Sequence, residues 1–335
     1  MEGKRVALVG ATGAVGREMM KILEERKFPL AELVLVASSR SAGKLIKFAG
    51  EELEVHDLDR FSFSGVDIVL SSPGASISRQ YVPRAVEEGA VVVDNTSAFR
   101  MDPDVPLVVP EVNPEKIKEH RGIIANPNCS TIQLVAALKP LHDAARIKRV
   151  VVSTYQAVSG AGTKAVAELE SQTKAFLNGE SFEPAAFPHR IAFNMIPQID
   201  VFLDNGYTKE EMKMVEETKK IIGDASIRVS ATAVRVPVFR GHSESVNLEF
   251  ERPLSAGEAA RILSGAPGIR VVDSPADALY PMPVDCEGRD EVFVGRLRGD
   301  DSVENGLNMW IVSDNLRKGA ALNTIQIAEK LAGVN

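Results

Sequence analysis

The seven residues Gly10-Ala-Thr-Gly-Ala-Val-Gly16 constrain this chain more than any other stretch of it. They link the β-branched run Arg5–Val9 to the amphipathic stretch Ala14–Arg26. Glycines at this G-x-x-G-x-x-G spacing let the backbone turn sharply from strand to helix and leave free N–H groups at the positive helix end, where an anion is held. Such a turn, between a strand and a helix, marks a dinucleotide's pyrophosphate site. Strand-like runs recur at Leu33–Ala37, Asp67–Ser71 and Val91–Asp94, and Ala75–Glu88 has helical spacing. Continuous apolar runs mark strands buried on both faces, so the expected fold is α/β, opening with a Rossmann-like dinucleotide-binding domain. Leu45–Val55 is less regular and reads as a short hairpin or an edge.

The second half carries a different pattern. After Ile123–Ala125 and a helical segment at Ile132–His142, strand-like runs appear at Ile147–Tyr155, Ile227–Arg235, Ser245–Phe250, Glu291–Arg298 and Leu307–Val312. Many alternate in polarity, which predicts a mixed or antiparallel sheet with one covered face, an α+β second domain. Asp314–Leu331 reads as a helix capped by its Asp that returns to the first domain. The expected division is 1–127 completed by 314–335, and 128–313, with insertions concentrated in the loops Asn178–Gln198 and Asp273–Asp290.

Charge narrows the partners. Lys and Arg number 39 against 46 Asp and Glu, a net −7, and no basic stretch is long enough to track a nucleic acid. Every apolar run is broken well short of a membrane span, and Met1-Glu-Gly-Lys-Arg-Val enters a strand without an apolar leader, so a cytoplasmic chain is expected. In that compartment Cys129 and Cys286 are read as thiols.

Two local patterns carry chemistry. The second strand ends in Ala37-Ser-Ser-Arg-Ser41 with no carboxylate for a ribose 2′-hydroxyl. Arg40, helped by the hydroxyls of Ser38 and Ser41, suits a 2′-phosphate, so NADP is expected; the alternative is a loop arginine with no ligand. Cys129 stands at a helix start, entered through Pro127, with Asn128 and Ser130 as caps. The helix dipole there favours a thiolate and makes Cys129 a plausible acylation site, the alternative being a buried structural thiol. Asp285 and Glu287 disfavour a thiolate at Cys286. Among the five histidines His242 stands out, at a strand-to-strand turn after Arg240-Gly241 and seven residues beyond Arg235. A loop presenting both side chains would give the thiol an imidazole.

With Ser97-Ala-Phe-Arg100, Asn126-Pro-Asn-Cys-Ser-Thr131, Tyr155-Gln-Ala-Val-Ser-Gly-Ala-Gly162, Glu216-Glu-Thr-Lys-Lys-Ile221, Arg235-Val-Pro-Val238 and Asp314-Asn-Leu-Arg-Lys-Gly-Ala-Ala321 in this order, the chain resembles the aspartate-β-semialdehyde dehydrogenases over most of its length. The resemblance implies NADP-dependent, phosphate-linked interconversion of L-aspartate 4-semialdehyde and L-4-aspartyl phosphate, on the branch to lysine, methionine and threonine. It implies Cys129 as nucleophile, His242 as acid/base and Gln156 as an orienting group; backbone N–H groups at the helix start suit the oxyanion, with Asn128 or Gln156, both expected to bind substrate, as helper. Arg100 and Lys220 would bind phosphate, Arg235 the α-carboxylate and Glu217 the ammonium. Gly10, Thr12, Gly13, Ala14, Val15, Gly16, Ser38, Arg40 and Ser41 would cradle NADP, with Ser159, Gly160 and Asn315 near its nicotinamide. No metal is implied, and a homodimer built on the second domain's sheet is, with a tetramer as the alternative. The nearest enzymatic rival is another phosphorylating aldehyde dehydrogenase, such as N-acetyl-glutamyl-phosphate reductase, whose substrate has no free ammonium. A non-catalytic NADP-binding sensor is the rival outside enzymes.

Overall fold

A computed structural model describes residues 3–334. The chain forms two units, one running to Asn128 and resumed from Ala320, the other Cys129–Gly319.

The first unit is built on β1 (Lys4–Val9), α1 (Ala14–Glu25), β2 (Leu30–Ala37), β3 (Leu45–Phe48), β4 (Glu51–Asp57), β5 (Ile68–Ser71), α2 (Ala75–Glu87), β6 (Val91–Asp94) and β7 (Ile123–Ala125). Its sheet runs β3-β4-β2-β1-β5-β6-β7, parallel throughout except for the β3–β4 hairpin, which closes one edge where the sequence was irregular. Val6, Leu8, Leu35 and Leu70 are fully buried and pack with Met19, Ile22 and Leu23 of α1 and Ile325 and Ile327 of the C-terminal helix Leu322–Leu331. Each such side chain contributes about 1.5–3 kcal/mol of burial. Arg26 of the turn after α1 ties that C-terminal helix by a bidentate pair to Glu329, at 2.7 and 2.8 Å.

The second unit contains α3 (Cys129–Ala145), β8 (Ile147–Gln156), α4 (Thr163–Asn178), α5 (Lys209–Ile222), β9 (Arg228–Arg235), β10 (His242–Phe250), α6 (Ala256–Ser264), β11 (Ile269–Val271), β12 (Val292–Asp300) and β13 (Gly306–Ser313). The sheet order is β11-β12-β13-β10-β8-β9, antiparallel at its centre and parallel at both ends, hence mixed. Val150, Val152, Val246, Leu248 and Met309 project from one face onto Leu134, Leu138 and Leu141 of α3. The period-2 alternation of β8 follows from that single cover.

Two of the boundaries that differ from the sequence reading bear on the site. The helix expected at Ile132–His142 begins at Cys129 instead. The segment from Asp314 does not run on as one α-helix: Asp314 accepts the N–H groups of Leu316 and Arg317, a wide turn follows over Arg317–Ala321, and only then does Leu322–Leu331 start. The Asp314 carboxylate also binds Arg240 at 2.7 Å and the Gly288 N–H at 2.7 Å. Residues 314–319 therefore belong to the second unit, and the break falls at Gly319/Ala320 rather than at 313/314.

Candidate active site

The first unit carries a cleft of about 500 Å³ at the carboxyl ends of its strands, lined by Gly10, Thr12, Gly13, Ser38, Ser39, Arg40, Asp59, Ser72, Gln80 and Tyr81 among others. Gly10 has φ +89°, and a Cβ there would stand 2.8 Å from the Ser72 carbonyl. At Gly16 a Cβ would be 2.3 Å from the Gly10 carbonyl oxygen, so the tight turn requires glycine at both. Helix α1 is capped by Gly13, which contributes no side-chain oxygen to its first N–H groups. A cradle of open N–H groups at a helix start is the arrangement a pyrophosphate needs. Arg40 lines the same cleft beside Ser38 and Ser39, whereas Ser41 is outside the lining and donates its N–H to the Ser38 carbonyl in a turn. Ser39 is the hydroxyl the sequence reading passed over.

Arg100, also in this unit, is buried, and its guanidinium donates to the carbonyls of Asn126 (2.9 Å) and Asn95 (3.0 Å). The amide of Asn126 is held in turn by Asn323 and Asn95, at 2.7 Å each. Asn128 is buried at the end of the same segment.

In the second unit the chemistry gathers at one edge of the sheet. Gln156 ends β8, and Arg235 ends β9 in register with it. His242 opens β10 in register with Ser313, the last residue of β13. His242 was expected in a turn, but it is the first strand residue, and that register fixes its face. A Cβ added at Gly160 would lie 3.0 Å from an Arg235 nitrogen and 3.2 Å from His242 Nε2, so these three share one small space. Cys129 begins α3, is partly exposed, and interacts electrostatically with Arg235.

Burial holds the Arg235 pKa below the ordinary guanidinium value, against the opposing pull of Glu210 and Cys129. Arg235 also donates to the Ala157 carbonyl at 2.7 Å. His242 is fully buried, and burial, reinforced by the Arg235 charge, lowers its pKa to about 3. Its Nδ1 accepts the Ala157 N–H at 3.0 Å, so the neutral ring carries its proton on Nε2. That Nε2 has no hydrogen-bond partner among the described residues. Asn315 braces this corner, exchanging hydrogen bonds with Ser159 Oγ (3.0 and 3.2 Å) and accepting the Gly241 N–H at 2.9 Å.

The sequence reading missed Glu210. Thr208 and Glu211 form a capping box that starts α5 at Lys209 and so places Glu210 in the first turn. Glu210 is buried, accepts from Gln156 Nε2 at 3.3 Å, and acts electrostatically on both Arg235 and His242. Lys213 pairs with it at 2.9 Å and with Asp200 at 3.0 Å; burial opposes its charge, but the two carboxylates outweigh burial and raise its pKa. Glu217 and Lys220, carried over from the resemblance, repeat the same Glu-x-x-Lys spacing seven residues later. They lie on the same stripe of α5, roughly 10 Å farther along its axis. Glu210 stands beside Gln156 and Arg235, with Lys213 paired to it.

Cys286 is fully buried, and burial, with Asp285 adding to it, pushes its thiol up to about 12. No group of three or more His, Cys, Asp or Glu side chains among the described residues is placed to hold a metal ion, and no helix there is long and apolar enough to cross a membrane.

A buried imidazole and a paired carboxylate about a guanidinium whose charge acts on a thiol suit covalent chemistry on a small polar carbonyl compound. Comparison with known proteins agrees. Residues 5–120 match the family model for the semialdehyde dehydrogenase NAD binding domain, and residues 138–318 the model for its dimerisation domain. Aspartate-semialdehyde dehydrogenase of Aquifex aeolicus is 60% identical over 333 residues, 98% of each chain. A crystal structure of aspartate semialdehyde dehydrogenase II from Vibrio cholerae, complexed with ASA, superposes with a TM-score of 0.97 at 52% identity over 99% of each chain. The Candida albicans enzyme, crystallised with NADP, gives 0.77 at 30% identity over 100% of this chain and 99% of that one. The chain belongs to the aspartate-semialdehyde dehydrogenase family and has that family's enzyme activity.

Proposed function

We propose that the chain catalyses the NADP-dependent, phosphorylating interconversion of L-aspartate 4-semialdehyde and L-4-aspartyl phosphate through a thioester on Cys129, on the branch to lysine, methionine and threonine. The observation that carries this reading is the gathering of Gln156, His242 and Glu210 around Arg235, whose charge acts on the thiol that starts α3. The deciding assay mixes purified chain, semialdehyde, phosphate and NADP and follows absorbance of the reduced cofactor. Reduction that requires phosphate supports the reading; phosphate-independent reduction, or none, overturns it.

The glycine cradle fits a dinucleotide, since a Cβ at Gly10 or Gly16 would fill it, and the Arg40 side chain lines the cleft. Bound there, the reduced cofactor supplies a hydride. Arg40 and the Ser38 and Ser39 hydroxyls favour the 2′-phosphate. Arg40→Ala is expected to raise the KM for NADPH roughly 10- to 100-fold, the worth of a charge-assisted contact, with NADH nearly unchanged. An unaltered NADPH/NADH ratio in steady-state kinetics would remove Arg40 from this role.

In the biosynthetic direction the Cys129 sulfur bonds to the acyl carbon as the carbon–oxygen bond to phosphate breaks. Arg235, whose charge acts on Cys129, favours the thiolate, and Arg100 is the phosphate-binding cation. Once the thioester carbonyl has been reduced, its oxyanion is held by the N–H of His242 Nε2, the face of the ring that the Ala157 bond leaves protonated, and any proton shared with the oxygen returns to Nε2 as the carbon–sulfur bond breaks. Collapse of the thiohemiacetal then releases aldehyde and restores the thiolate. Gln156 orients the reacting group, while Ser159, Gly160 and Asn315 shape the corner around it.

For the substrate's charged end, Arg235 takes the α-carboxylate and Glu210 the ammonium, with Lys213 in place of Lys220 as the second cation. Glu210→Gln is expected to raise the KM for aspartate semialdehyde roughly 10- to 100-fold, whereas Glu217→Gln keeps it within about twofold. The opposite ranking in initial-rate measurements would restore Glu217. The dimerisation-domain match supports a homodimer through the six-stranded sheet, to be checked by sedimentation.

A further inference from the structure

One buried acid in the second unit has no part in these steps. Glu244 follows His242 by two residues on β10, so both side chains leave the same face of the strand, the face that α3 covers. Glu244 is fully buried, with Thr154 of β8 and Ile311 of β13 in register on either side. Two influences act on its carboxyl. Burial pushes its pKa well above the carboxylate range, and the Gln133 side chain partly opposes that push. An ionised carboxylate without a cation at such depth is costly, whereas the neutral acid is both donor and acceptor.

Gln133 is four residues after Cys129, on the same face of α3. It is fully buried, and its Oε1 accepts from Ser313 Oγ at 2.6 Å. Ser313 is in turn the register partner of His242. Neither the Gln133 Nε2 nor either Glu244 oxygen closes a hydrogen bond among the described residues. The Gln133 Nε2 and the two Glu244 oxygens are thus unused beside each other, and Gln133 Oε1 keeps a second lone pair beyond its bond from Ser313, one turn beneath the nucleophile and one strand position pair beneath the imidazole. An acid O–H pairs with an amide oxygen, and an amide N–H with an acid carbonyl.

We propose that Glu244, as a neutral carboxylic acid, pairs with the Gln133 amide and so serves as a positioning residue that sets the distance between Cys129 and His242. The assignment rests on the reading of Cys129 and His242 given above. Glu244→Gln keeps a donor and an acceptor in the same shape and is expected to hold both kcat and the rate of Cys129 alkylation by iodoacetamide within about twofold. Glu244→Leu removes the pairing and is expected to lower kcat roughly 10- to 100-fold with KM unchanged, the penalty of a small misplacement of reacting groups. Gln133→Met breaks the pair from the other side and should give the same loss, and it serves as the second variant if Glu244→Leu does not fold. The infrared carbonyl band of a protonated carboxylic acid should be present in the wild-type chain and absent from Glu244→Gln.

A Glu244→Gln loss as large as that of Glu244→Leu, or a missing band, would mean that an ionised carboxylate acts there and would overturn the proposal. Full kcat in both Glu244→Leu and Gln133→Met would overturn it as well. If the wild-type chain showed no activity on aspartate semialdehyde, the functional reading would fall, while the band and the alkylation rates would still decide the pairing.

Discussion

Cys129→Ser is expected to lower kcat by roughly four orders of magnitude while NADPH still binds. The reason is the difference between two nucleophiles. A thiol near a helix start and a guanidinium is readily ionised near neutral pH, but a serine hydroxyl there needs a strong base to remove its proton. His242 cannot be that base in its resting state, because its Nδ1 accepts from Ala157 and its Nε2 already carries the proton. The substitution removes a single heavy-atom identity at the first residue of α3, whereas the glycine cradle belongs to the first unit. Cofactor titration by fluorescence should therefore match the wild-type chain. Retained turnover would end the thioester mechanism. Loss of NADPH binding together with a lowered melting temperature would mean that the fold, not the nucleophile, had been disturbed.

His242→Gln is expected to lower kcat roughly 10²- to 10³-fold, the usual worth of a positioned proton donor. Alkylation of Cys129 should change little in this variant, since the neutral ring donates and does not accept. A large fall in alkylation rate would instead make His242 the base that ionises the thiol. The same residue leaves a signature in stability. Its folded pKa of about 3 lies below the unfolded value near 6.5, so the folded state binds fewer protons between those limits. Stability is then full above the unfolded pKa and is lost as pH falls from about 6.5 toward 3, by an amount on the order of a few kcal/mol. Chemical denaturation at pH 7 and pH 4 should show this loss in the wild-type chain and a smaller one in His242→Gln. An equal pH dependence in both would mean that His242 is not held neutral by the fold.

The clearest division between what could be read early and what could not runs through α5. Glu210-x-x-Lys213 and Glu217-x-x-Lys220 are the same pattern one heptad apart, and a heptad is two turns, so both fall on one stripe. Nothing in the local residues ranks them. The capping box at Thr208 and Glu211 is visible in the sequence as a Thr followed three residues later by a Glu, and it marks where the helix starts. That start is the signal that could have pointed to Glu210, but it acquires meaning only once the first turn of α5 is seen to lie against the end of β8.

Sequence alone determined the features whose cause is local: the glycine turn, required by backbone geometry over seven residues; the thiol at a helix start; the alternation that announced a one-sided mixed sheet; and the Arg235–His242 spacing. Folding in three dimensions decided the rest. It set Glu210 against Gln156, protonated His242 on Nε2 through an amide eighty-five residues away, and buried Glu244 against Gln133. Helical and strand periodicity says which residues share a face. Where along its axis each element is docked, and hence which polar group meets which, depends on packing between segments far apart in the chain, and no local pattern encodes that distance.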